Sequence, residues 1–81
     1  MSSIKEYVDR NPDMLYFVAM QLSIYEEAYG EGVCAYEIAE SEEESTAIYN
    51  KAKEHGYTFV DENMFGNSSK SASILIFKKV E

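Results

Sequence analysis

The sequence predicts an α+β domain: a small antiparallel sheet with two helices on one face, in the order α-β-β-α-β-β. Two Ser-x-x-Glu boxes, Ser3 to Glu6 and Ser41 to Glu44, each open a stretch of helical period. Between and after them lie short stretches with strand alternation or continuous apolar character. With 81 residues, 46% of them hydrophobic, there is enough apolar surface for one thin core and a single domain over 1–81.

The first helix is expected over residues 3–11, with Ile4, Tyr7 and Val8 on one face. Asn11-Pro12 ends it, because a residue before proline is pushed out of the helical region. Residues 14–25 fit two periods. Read as a strand, Met14, Tyr16, Val18, Met20, Leu22 and Ile24 line one face without exception. Read as a helix, Asn11 caps, Pro12 takes the first position and Gly30 follows the end, while Met20 and Ile24 fall off the apolar stripe. The unbroken alternation, rich in residues that favour sheets, selects the strand. The helix gives the alternative order α-α-β-α-β-β.

Gly30 and Gly32 turn the chain, and a second strand follows at 33–39. A helix over 42–55 starts at Ser41, carries Glu42, Glu43 and Glu44 at its positive pole, and stops at Gly56. Residues 57–64 read as a strand and Gly66 to Ser71 as a turn. The last strand, 72–80, is apolar on both faces through Ile74-Leu75-Ile76-Phe77, which places it centrally and in a hairpin with its predecessor.

Fifteen acids against seven bases leave a net charge of −8. Direct nucleic-acid binding needs clustered cations, and Lys5, Arg10, Lys51, Lys53, Lys70, Lys78 and Lys79 are scattered. An anionic membrane surface is disfavoured for the same reason. The longest near-continuous apolar run, Met14 to Ile24, falls short of a membrane span. The N-terminal stretch lacks the apolar segment of a signal peptide, and a lone Cys34 builds no disulfide framework. A reducing, cytoplasmic location is therefore expected, and the sequon Asn67-Ser68-Ser69 carries no weight there.

No catalytic, metal or cofactor site is expected. Cys34 and His55 are the sole thiol and imidazole, with no local group to orient them. They cannot make a structural zinc site either. Asp61-x-Asn63-x-x-Gly66 imitates the start of a calcium loop, but Phe65 and Ala72 stand where ligands belong. The four glycines form no phosphate-binding pattern.

What stands out is 25–44, with eight acids and no base: Glu26, Glu27, Glu31, Glu37, Glu40, Glu42, Glu43 and Glu44, interleaved with Tyr25, Tyr29 and Tyr36. Carboxylates can meet lysines and arginines of a partner while tyrosines anchor. The expected partner is a larger protein with a basic surface, bound by Glu26, Glu27, Tyr29, Glu31, Tyr36, Glu37, Glu40, Glu42, Glu43 and Glu44. Solvated turns and a helix start would explain the same letters. The sharper form is an inhibitor that mimics nucleic-acid charge, a build shared by phage-encoded anti-defence proteins. The alternative is a small regulatory domain, self-associating or metabolite-binding, that uses an exposed sheet face with Leu15, Phe17 and Ala19 as an apolar patch. Monomer and homodimer both stay open. The riskiest expectation sets Glu26, Glu27 and Glu31 close to Glu40, Glu42, Glu43 and Glu44, although a strand between them argues for two acidic poles.

Overall fold

A computed structural model describes residues 4–66 and 71–79. Helix α1 (Ile4–Arg10) leads through a 3-10 turn (Pro12–Met14) into helix α2 (Leu15–Tyr29). Strand β1 (Cys34–Ala39), helix α3 (Glu42–Glu54), and strands β2 (Tyr57–Gly66) and β3 (Ser71–Lys79) follow. The fold is α+β with an antiparallel sheet, and its order is the helical alternative, α-α-β-α-β-β. The first capping box includes Ser3, and the turn and sequon at 67–70 likewise lie outside the described residues.

The strand expected over 14–25 is a helix, and its boundaries explain why. Pro12 pre-sets the first turn, with no N–H to lose. Met14, Val18 and Tyr25 then recur at helical spacing and are buried. Gly30 ends the helix at φ +104°, donating its N–H to the Glu26 carbonyl at 2.8 Å. A Cβ at this glycine would come within 3.2 Å of Val33 Cγ2, a tight contact added to a backbone conformation that favours glycine. The even-numbered alternation was incidental: Tyr16, Met20 and Ile24 face outward.

The sheet order is β1-β3-β2, with β3 central as its two-sided apolar pattern required. Two helices do share a face, but they are α1 and α2. Ala72, Ile74 and Ile76 of β3 join Ile38, Phe65, Tyr7, Met14, Val18 and Tyr25 on that side. Tyr7 meets Phe65 edge to face, ring centres 5.9 Å apart. Helix α3 covers the opposite face, where Leu75 and Phe77 pack with Ala39 and Ile48. Each sheet face therefore carries helix over its centre, and Leu15, Phe17 and Ala19, expected on an exposed sheet face, lie on α2 instead. A strand as apolar as β3 cannot leave either side in water.

One irregularity rearranges β2. Phe59 pairs with Phe77 and Asp61 with Ile76, so Val60 is an extra residue, a bulge. Before it, Phe59 points to α3, against Tyr49 at 4.8 Å between ring centres. After it, the odd-numbered residues change sides, and Phe65 reaches the α1/α2 core.

Candidate functional site

Helix α3 begins as its capping box dictates: the Glu44 N–H donates to Ser41 Oγ at 3.2 Å. Glu42, Glu43 and Glu44 thus occupy its first turn, beside the positive pole. Glu40 lies just before the cap and pairs with Arg10 at 3.3 Å. Glu26 and Glu27 close α2, and Glu31 lies in the exposed turn beyond it. None of Glu26, Glu27, Glu31, Glu42, Glu43 and Glu44 pairs with a base among the described residues.

Strand β1 separates these two groups. At about 3.3 Å per residue, Cys34 to Ala39 spans about 17 Å. The acids therefore form two poles, and the expectation of one close cluster is corrected. Removing the expected strand at 14–25 changes nothing here, since β1 alone carries the chain from one end to the other.

Glu37 belongs to neither pole. It points to the α3 side and lines a cleft of about 170 Å³ with Ala35, Ile48, Ala52, Tyr57 and Phe77, bordered by Lys51 and His55. Its Oε2 is buried with no hydrogen-bond partner. Burial pushes the Glu37 carboxyl up, the Lys51 ammonium draws it back, and Glu6 adds repulsion. A carboxyl raised in the folded state makes its favourable contribution fully below the unfolded value near 4.5, and loses it as pH rises through the folded value. At neutral pH Glu37 therefore costs stability. The expected result for Glu37→Gln is a melting temperature above wild type at pH 7 and a gap that closes below about pH 4. A gap independent of pH in thermal melts would refute the assignment.

The tyrosines divide too. Tyr29 is exposed and stacks on Tyr25, the planes 9° apart and the centres 6.3 Å apart. Tyr36 is half-buried, its hydroxyl enclosed without a partner that meets hydrogen-bond geometry, close to the Cys34 thiol and Glu26. Burial, then the charge near it, pushes its pKa up. Tyr25 is buried and serves the interior. Its O–H donates to Asp61 Oδ2 at 2.7 Å and accepts from Asn63 Nδ2. Burial, followed by the Asp61 contact, pushes the Tyr25 hydroxyl up to about 12. That contact and the Glu62 N–H hold Asp61 below the usual carboxylate range.

The calcium-like letters thus find a physical use. Asp61 and Asn63 alternate on one strand face and clamp the Tyr25 hydroxyl. Sequence reasoning missed this group, although Asp-x-Asn two residues apart was its visible signal. Cys34 and His55 lie on opposite sides of the sheet, Cys34 against the α1/α2 core and His55 beside the α3 cleft. Among the described residues no three His, Cys, Asp or Glu side chains gather as metal ligands, and no helix is long and apolar enough to cross a membrane. No protein-family model matches the chain, and no curated protein or solved structure is detectably similar to it.

Proposed function

We propose that this is a non-catalytic interaction protein that docks by its carboxylates on the basic surface of a larger protein. Its sharpest form is inhibition of a nucleic-acid-handling protein by charge mimicry. The supporting observation is the pair of acidic poles at the two ends of one strand, largely exposed and, among the described residues, with no ion pair except that of Glu40 with Arg10. A separation of about 17 Å corresponds to roughly five base-pair steps along the axis of a duplex. Tyr29 stands beside the first pole as a partly exposed aromatic contact. Glu40 contributes less, because Arg10 already answers it.

Affinity of this kind resides in exposed charge and must fall with ionic strength. The experiment compares wild type with two charge reversals, Glu26/Glu27/Glu31→Lys and Glu42/Glu43/Glu44→Lys, as baits with quantified recovery. The expected result is a protein of high isoelectric point held by wild type at about 0.05 M salt and released by about 0.5 M. Either reversal should lose it, and duplex DNA should compete with it. Recovery unchanged by both reversals and by salt would overturn the proposal.

A further inference from the structure

The outer side of α2 carries a run of exposed apolar side chains. Leu15, Tyr16, Met20 and Ile24 are 56, 71, 40 and 51% exposed. They run together, since Tyr16, Met20 and Ile24 follow each other at four-residue spacing, with Leu15 and Ala19 on the adjoining row. From Met14 to Tyr25 the helix carries no charge at all. An exposed apolar run of this size marks a contact surface.

We infer that α2 pairs with α2 of a second copy, antiparallel, about a two-fold axis near Met20. The face is self-complementary because it is uncharged. A chain with a net charge of −8 repels its own copy on average, and the stretch from Met14 to Tyr25 is where two copies can meet with carboxylates only at the rim of the contact. Ala19 and Ser23, both small and exposed, lie close to the axis and let the helices approach. Antiparallel packing sets Tyr16 of one copy against Ile24 of the other. At roughly 200 Å² for a large side chain, the four exposed residues present about 400 Å² per copy. Two copies would bury about 800 Å² through them alone, and Ala19, Ser23 and the rim bring this to the roughly 1,000 Å² a specific interface needs.

The rim has the opposite character. Asp13 of one copy lies beside the acidic last turn of the other, with Glu26 and Glu27. Screening therefore strengthens this contact, whereas it weakens docking on a basic partner. The two readings respond to salt with opposite signs, so one can fail without the other.

Sedimentation velocity over a concentration series at low and high salt tests the pairing. The expected species is a dimer whose dissociation constant falls as salt rises. Met20→Lys with Ile24→Lys, both at exposed positions, should weaken it about 100-fold while the circular dichroism spectrum is retained. A monomer at every concentration and salt overturns the inference, as does a dimer indifferent to the two lysines. Cross-linking supplies a second readout that needs no charge in the interface. In a Cys34→Ser background, Met20→Cys should oxidise to a covalent dimer, and Glu43→Cys should not. Equal cross-linking of the two cysteines would likewise overturn it.

Discussion

Phe77→Ala is expected to leave the protein largely unfolded at 37 °C. Phe77 is buried on the α3 side of the central strand, with Tyr49 at 5.9 Å and Phe59 at 6.0 Å between ring centres. Truncating a buried phenylalanine costs about 3–5 kcal/mol, through lost transfer energy and the cavity left behind. A domain of this length has only roughly 4–10 kcal/mol in total. Three rings lean on one another here, so the remaining pair cannot close over the space without tilting. Urea denaturation should show a midpoint lowered by more than half. A midpoint within about 10% of wild type would mean that α3 adds little to the fold.

The neighbouring residue probes the other layer. Ile76 is fully buried and points away from Phe77, into the side built from α1, α2, Ile38 and Ile74. Ile76→Ala is expected to cost about 2–5 kcal/mol. The two losses should differ in kind as well as size. Ile76→Ala removes support beneath Tyr25 and the Asp61–Asn63 clamp, so tyrosine fluorescence should change in the folded protein. Phe77→Ala should leave that group intact wherever the protein remains folded. If Ile76→Ala left both stability and the tyrosine signal unchanged, the α1/α2 layer would not be seated on β3 as described.

Helix α3 was legible because independent signals agree on it. Ser41 caps, three glutamates favour the positive pole, Ile48 and Ala52 keep helical spacing, and Gly56 takes a positive φ of 80°. The central place of β3 was legible from its apolar character on both faces. Helix α2 was not. Of residues 14–25 only Gln21 and Ser23 are polar, so almost any period can be read into the stretch. Period-based reading assumes a polar outer side, and α2 lacks one. The misreading and the exposed apolar face have the same origin.

The positions of the acids along the chain were legible, and so was the physical argument for two poles. The role of Glu37 was not, because strand alternation alone could not say which face α3 covers. The Tyr25 clamp was hidden for another reason. It joins residues 36 and 38 positions apart in the chain, and it depends on an irregularity that no local propensity signals.

That irregularity also sets how the chain answers to change at the level of its gene. Replacing Val60 alters one half-buried side chain. Losing its codon is a different event: an in-frame deletion of three nucleotides would join Phe59 to Asp61, which already pair with the consecutive residues Phe77 and Ile76, so regular pairing returns and everything downstream in the strand keeps its side. Phe65 would stay on the Tyr7 side and Asp61 and Asn63 beside Tyr25, whereas an in-frame loss of Glu62 with the bulge kept would turn Asn63 and Phe65 toward α3 and empty their places beside Tyr25 and Tyr7. The same length mutation is thus mild at the bulge and damaging two residues later, so the spacing from Asp61 to Phe65 is held more tightly than the spacing from Phe59 to Asp61.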